Sequence, residues 1–116
     1  MKKKVDKKIS VYENNWSFGR IKPNKFDNHI DKSIPLFEDM NWLVIKYADY
    51  FIKKNSIVYD LGCSTGRLLN LLAQNNTSKQ NIKFYGIDIE SNMINYAKNK
   101  IKKKKYFFKE SRYHSN

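Results

Sequence analysis

The sequence predicts an α/β fold built around a parallel sheet, and three observations carry that reading. Ile57-Val58-Tyr59 is a short, apolar, β-favouring run that ends near Leu61 and passes into a glycine-bearing loop. A second such run, Ile82 to Asp88, takes its apolar content from Phe84, Tyr85 and Ile87. Helical periodicities precede, separate and follow the two runs. Strands alternating with helices fold as parallel neighbours joined by right-handed crossovers.

Each element has its own signature. Residues 1–15 are polar and lysine-rich and read as a flexible basic arm. Residues 16–35 carry scattered apolar side chains (Phe18, Ile21, Phe26, Ile30) and read as an irregular stretch that packs on something. From Leu36 a helix is expected, because Phe37, Met40, Leu43, Val44, Tyr47, Ala48 and Phe51 recur at spacings of three and four and would form its core stripe. Ser33 is a candidate cap, Pro35 suits the first turn, Lys53-Lys54 the last, and Asn55 the exit. The run at Ile57 reads as a buried strand. Arg67 to Gln74 reads as a helix with Leu68, Leu69, Leu71 and Leu72 inward. After the second strand, Ser91 is the expected N-cap of a helix carrying Met93, Ile94, Ala97 and Ile101 on one side. Tyr106-Phe107-Phe108 is a candidate third strand.

Composition narrows the class. The chain has 116 residues, enough for one small domain. No apolar run approaches the roughly 20 residues that span a bilayer, and the basic N-terminus lacks the apolar stretch of a secretory signal. A cytoplasmic location is expected, and the single cysteine, Cys63, allows no internal disulfide. The formal charge is +12, which suggests a nucleic-acid partner. Against that, 20 of the 23 cations are lysines, as a biased base composition would give, whereas arginine is the residue suited to reading phosphates bidentately.

Function concentrates in Asp60-Leu61-Gly62-Cys63-Ser64-Thr65-Gly66. A strand ends in a carboxylate, turns at Gly62, and enters a helix whose free N–H groups and dipole face a ligand beyond the strand. Asp88 closes the next strand, 22 residues after Gly66, where a carboxylate accepts hydrogen bonds from ribose hydroxyls. The loop is neither G-x-G-x-x-G nor a Gly-Lys-Ser/Thr phosphate loop. Asp60 would repel a pyrophosphate and suits an ammonium group instead. An amino acid, a sulfonium and a ribose together describe S-adenosyl-L-methionine. Blander readings stand beside this one. Gly62 and Gly66 also suit ordinary turn and packing roles, Asp88 also suits a strand-end cap, and His29 reads first as a surface or packing residue. Cys63 reads as a small packed residue rather than a nucleophile, because the only histidines are His29 and His114 and no base partner is evident.

The stretch Asp60 to Gly66 resembles the first motif of class I S-adenosyl-L-methionine-dependent methyltransferases, with Ser64 where another glycine is usual. Tyr85-Gly86-Ile87-Asp88 followed by Ser91 and Met93 resembles their second motif. Ser33-Ile34-Pro35-Leu36-Phe37 and Val58 to Ser64 are similar to the branch containing carboxy-S-adenosyl-L-methionine synthase, which makes a cofactor for tRNA wobble-uridine modification. The resemblance covers roughly residues 16–101. It implies a Rossmann-like fold and S-adenosyl-L-methionine as cofactor. It also implies backbone at Gly62, Cys63 and Ser64 facing the methionine part, Asp88 on the ribose and Ile89 near the adenine. Asp60 would orient the loop or the ammonium group, and Gly66 would let the helix start pack closely. Phe37 stands where that branch has a cofactor-contacting tyrosine, and would line the adenosine site without a hydroxyl. No catalytic base is named and no metal is expected.

The resemblance stops early. The family's acidic motif on the third strand is not recognisable beyond Lys102-Lys103-Lys104-Lys105, where Glu110 is a poor match. Residues 16–116 therefore read as the N-terminal part of a methyltransferase domain, truncated after the second or third strand or forming one half of a split enzyme. An exposed sheet edge and association through it follow from that reading. The acceptor stays open. The alternatives are a carboxy-S-adenosyl-L-methionine synthase-like enzyme, a non-catalytic binding fragment, or a basic RNA-binding module.

Overall fold

The computed structural model describes residues 21–111 and contains, in order, α1 (Pro23–Ser33), α2 (Phe37–Phe51), β1 (Ile57–Leu61), α3 (Arg67–Gln74), β2 (Lys83–Asp88), α4 (Ser91–Lys100) and β3 (Tyr106–Glu110). The expected basic arm, residues 1–15, lies outside the described residues. The strands pair in parallel in the order β1-β2-β3, with Tyr59 opposite Tyr85 and Tyr85 opposite Phe107. The α/β class, the parallel sheet and the third strand are as the sequence predicts.

Alternation along the strands divides the sheet into two faces. Phe84, Gly86, Asp88, Tyr106 and Phe108 are buried against the helices. The other face carries the ladder Tyr59–Tyr85–Phe107, whose rings stack at 5.0 and 4.8 Å. That face is open, with Ile57, Tyr59 and Leu61 each more than half exposed. The expectation of a buried β1 is therefore corrected. Among the described residues β1 is an edge strand, and only the face bearing Val58 and Asp60 is partly covered.

The main core joins Leu69, Leu72 and Ala73 of α3, Phe84 of β2, Ile94 and Ala97 of α4, and Tyr106 and Phe108 of β3. Most of the stretch expected to be irregular forms α1, Pro23–Ser33. Pro23 opens it at the position where a missing N–H costs least, and Phe26 and Ile30 lie one turn apart and pack with Ile21 and Met93. In α2 the apolar stripe faces outward: Met40, Leu43, Val44, Tyr47 and Phe51 are exposed, whereas Asn41, Ile45 and the C-cap Ile52 are buried and Ala48 half-buried. The ridge that packs runs i, i+4, i+7, i+11 from Asn41, offset from the stripe the apolar count selects. The caps differ too. Ser33 closes α1 and hydrogen bonds His29 Nδ1 at 3.3 Å, while Leu36, at φ 59°, is the N-cap of α2. That helix ends at Phe51, before Lys53-Lys54.

Candidate cofactor cleft

The β1–α3 loop is held in shape from beneath by β2. The Ile87 carbonyl accepts hydrogen bonds from the N–H groups of Gly62, at 2.7 Å, and Cys63, at 3.0 Å. Asp88 Oδ2 accepts from the Ser64 N–H at 2.8 Å, and Asp88 Oδ1 accepts from the Glu90 N–H at 2.9 Å. One buried carboxylate thus braces two ligand-side loops at once. Ser91, the expected N-cap, is instead the first residue of α4; Glu90 is the N-cap and makes no side-chain cap hydrogen bond, so the Asp88–Glu90 bond holds the turn just before the helix. Ser64 sits at φ 51°, in the left-handed region that glycine adopts freely, which accounts physically for the glycine usual at that position.

The two buried glycines serve packing. A Cβ on Gly86 would lie 2.6 Å from Phe108 Cδ1 and 2.9 Å from Cys63 Sγ. A Cβ on Gly66, at φ +78°, would meet the Phe108 ring at 3.0 Å. Phe108 and Cys63 therefore fill space that side chains at these positions would need. Cys63 is buried, and its thiol is pushed up to about 12, first by burial and then by the charges of Asp60 and Asp88. It is a packed residue.

From the other side, α1 clips onto the loop. Thr65 Oγ1 donates to Asp27 Oδ1 at 2.7 Å. Arg67 forks onto Asp31, at 2.7 and 3.1 Å, and its guanidinium lies 5.2 Å from the centre of the Phe37 ring. The sequence does not mark Asp27, Asp31, Thr65 or Arg67 as site residues. The only signal is the i, i+4 spacing of the two aspartates behind Pro23.

Between clip and loop lies a cleft of ≈ 280 Å³, near the lower end of the roughly 300–1,000 Å³ typical of ligand pockets. Its apolar wall is Phe26, Ile30, Ile34 and Phe37, and Asp60, Gly62, Cys63 and Ser64 form the opposing rim. The structure thus brings five expected site residues (Phe37, Asp60, Gly62, Cys63, Ser64) to one cavity. Gly66 and Asp88 are buried and do not line it, and Ile89 is about half exposed at the β2–α4 turn, apart from it. The Asp60 carboxyl is held above the usual carboxylate range, chiefly by burial and then by the charge of Asp88. Among the described residues no hydrogen bond or ion pair satisfies it. A half-buried, unpaired carboxylate facing a cavity suits a cationic ligand. No group of three or more metal-ligating side chains occurs among the described residues, and no helix there is long and apolar enough to cross a membrane.

Residues 52–113 match a family described as a methyltransferase domain. This chain belongs to the class I S-adenosyl-L-methionine-dependent methyltransferase family, and S-adenosyl-L-methionine is the family's cofactor. The chain is similar to the carboxy-S-adenosyl-L-methionine synthase of Staphylococcus epidermidis, with 34% identity over 85 residues covering 72% of this chain and 36% of that protein. It is 30% identical to the synthase of Desulfotalea psychrophila over 99 residues, covering 81% of this chain and 40% of that one. The chain spans well under half the length of these curated relatives. Among solved structures, it aligns with a SAM-dependent methyltransferase from Aquifex aeolicus at TM-score 0.55 and 26% identity, covering 80% of this chain and 48% of that one. It also aligns with a chain from the complex of the Haloferax volcanii Trm112 methyltransferase activator with a methyltransferase, at TM-score 0.53 and 22% identity, covering 85% and 39%. The second likeness is one of fold.

Proposed function

We propose that this chain is the cofactor-binding part of a methyltransferase and holds S-adenosyl-L-methionine in the cleft between α1, α2 and the β1–α3 loop. The unpaired carboxylate of Asp60 is the observation that carries the reading. It offers the amino-acid end of the cofactor an anion already stripped of part of its water, and ion pairing there would offset the cost of that burial. When bound, the cofactor supplies an electrophilic methyl group on sulfur. The protein contributes position and electrostatics. In this reading Phe37 and the α1 side chains cover the apolar part of the ligand, and the ribose reaches past the cleft towards Asp88, which keeps lone pairs for a hydroxyl beyond the two N–H groups it already accepts. Ile89, exposed at the neighbouring turn, flanks the adenine.

A carboxylated cofactor is the second reading, favoured by the names of the similar proteins, and it brings the link to tRNA modification with it. An added carboxylate calls for an unpaired cation. The cation in this cleft, Arg67, is already committed to both oxygens of Asp31. The plain cofactor is therefore the better match to the cleft.

Isothermal titration with S-adenosyl-L-methionine tests this. The intact chain should bind, and Asp60→Asn should weaken binding about tenfold, the scale of one charge-assisted contact of roughly 1.5 kcal/mol. No heat from the intact chain, or equal affinities for chain and variant, would overturn it.

A further inference from the structure

Charge in this fold is sorted along the strand direction. The carboxyl ends of the three strands carry Asp60, Asp88 and Glu110, with Glu90 beside them and Lys109 as the cation at that end of β3. The amino ends gather lysines: Lys53-Lys54 before β1, Lys83 opening β2, and Lys102 to Lys105 before β3. The turns there are tied together, Asn55 N–H to the Gln80 carbonyl at 2.9 Å and Asn81 Nδ2 to Asn55 Oδ1 at 2.9 Å. The lysines therefore share one end of the molecule. Asp49, held by Lys79 at 3.0 Å, is the carboxylate placed with them. A biased base composition enriches lysine everywhere, and it does not sort lysines from carboxylates by position in the fold.

This end also carries a cavity. A pocket of ≈ 340 Å³ is lined by Lys79, Lys83, Lys104 and Lys105, with the half-exposed Phe107 at its side and no carboxylate in its wall. Asn76 lines it too, and Asn76 is almost fully buried. Its Nδ2 donates to the Leu72 carbonyl at 2.7 Å, but its Oδ1 finds no donor among the described residues. A buried acceptor left without a donor keeps the cost of its lost hydration. A ligand that brings both negative charge and an N–H or O–H group would satisfy both halves of the pocket.

We propose that this pocket seats a single-stranded nucleic acid, with its phosphates on Lys83, Lys104 and the neighbouring lysines and a ribose hydroxyl or base amine donating to Asn76 Oδ1. The site lies at the opposite end of the strands from the cofactor cleft, so it anchors a strand rather than presenting the reacting atom. It does not depend on the cofactor reading, and its test involves no cofactor.

The probe is a fluorescein-labelled 12-nucleotide oligouridylate, titrated with the full chain and followed by anisotropy across a salt series. Replacing Lys83 and Lys104, which line the pocket, together with Lys103 beside Lys104 in sequence, by Gln should weaken binding at least ~10-fold at low salt. It should also lower the salt slope by up to about 2, since each phosphate neutralised on a single strand adds roughly 0.7 to that slope. The same substitution at Lys22, Lys25 and Lys32 on and beside α1 removes equal charge from elsewhere and should change affinity by less than ~3-fold. All six side chains are exposed, and circular dichroism verifies that both variants fold. Equal weakening by the two triple variants, displacement by polyglutamate at matched charge, or displacement by anionic lipid vesicles would overturn the proposal. Deoxyoligothymidylate distinguishes the donors. If a ribose hydroxyl reaches Asn76, the ribo-oligomer binds more tightly and Asn76→Ala removes that preference, a ratio that general destabilisation leaves unchanged. If a base amine reaches it, an oligocytidylate gains over oligouridylate and loses that gain in the same variant.

Discussion

Asp60 and Cys63, three residues apart, show how one environment sets two titrations. Burial lifts both groups first, the charge of Asp88 adds to both and that of Asp60 to the thiol, so each holds its proton more tightly when folded than when unfolded. For the thiol the sign is direct. The unfolded cysteine ionises near about 8.5 and the folded one near about 12, so its stabilising contribution is whole below about 8.5 and is lost as pH rises towards 12. Cys63→Ala should flatten the alkaline side of the stability profile, read as chemical-denaturation midpoints between pH 8 and 11. Native Cys63 should also react with iodoacetamide at pH 8 about three orders of magnitude more slowly than in denaturant, following thiolate fraction. Rapid native labelling would count against a packed Cys63. The residue identities in the loop were legible in sequence because a strand end, a glycine turn and a spaced second carboxylate are local signals. What Asp88 touches was not. Its bond to the Ser64 N–H joins residues 24 apart, and no local pattern encodes a contact of that range.

At the scale of elements, α1 and α2 mark the limit of reading periodicity. In α2 the outward side chains outnumber the inward ones in apolar content, so counting hydrophobes selects the wrong face, and the buried ridge includes a polar residue, Asn41. In α1 only Phe26 and Ile30 supply an apolar repeat, too few to stand out among polar neighbours. Its position is fixed by the packing of those two side chains on Ile21 and Met93 together with polar tethers, the Asp27–Thr65 bond and the Asp31–Arg67 fork. The fork is partly exposed, with side-chain exposures of 26% and 40%, so it contributes up to about 1 kcal/mol. Asp31→Ala should therefore leave global stability nearly intact while opening α1 locally. Amide exchange across residues 23–33 should speed up a few-fold, with the β2 amides unchanged. Uniform acceleration in both segments would show that the fork supports the whole fold rather than the clip. The helix α3 and the strand β2 were legible because their buried faces are wholly apolar or strictly alternating, as in Leu69, Leu72 and Phe84.

For the molecule as a whole, two opposing terms govern behaviour in solution. The open sheet face exposes Ile57, Tyr59, Leu61 and Phe107, and the outer side of α2 forms an apolar groove of ≈ 490 Å³ around Leu43, Tyr47, Tyr50 and Phe51. Such surfaces favour association. A formal charge of +12 opposes it through repulsion between copies. Salt weakens the second term and leaves the first, since the screening length shrinks from about 10 Å at 0.1 M to about 3 Å at 1 M. Sedimentation velocity should therefore show a shift from monomer towards larger species between 50 mM and 500 mM sodium chloride. A monomer at every salt concentration would mean that these faces are weaker attractors than their exposure suggests.

The brace at Asp88 also fixes an order of events in time. Pairing of β1 with β2 joins Ile57 to Lys83, 26 positions on (83 − 57), and pairing of β2 with β3 joins Phe84 to Tyr106, 22 positions on (106 − 84). Each closure must wait for a whole crossover helix, and such long-range closures fold slowly. Synthesis of the chain delivers Gly62 and Ser64 well before Ile87 and Asp88, the residues that accept their N–H bonds. Until the end of β2 has emerged and docked, the cleft's rim has no floor. The candidate cleft is thus a late product of folding, although its own residues are made well before the strand that completes it.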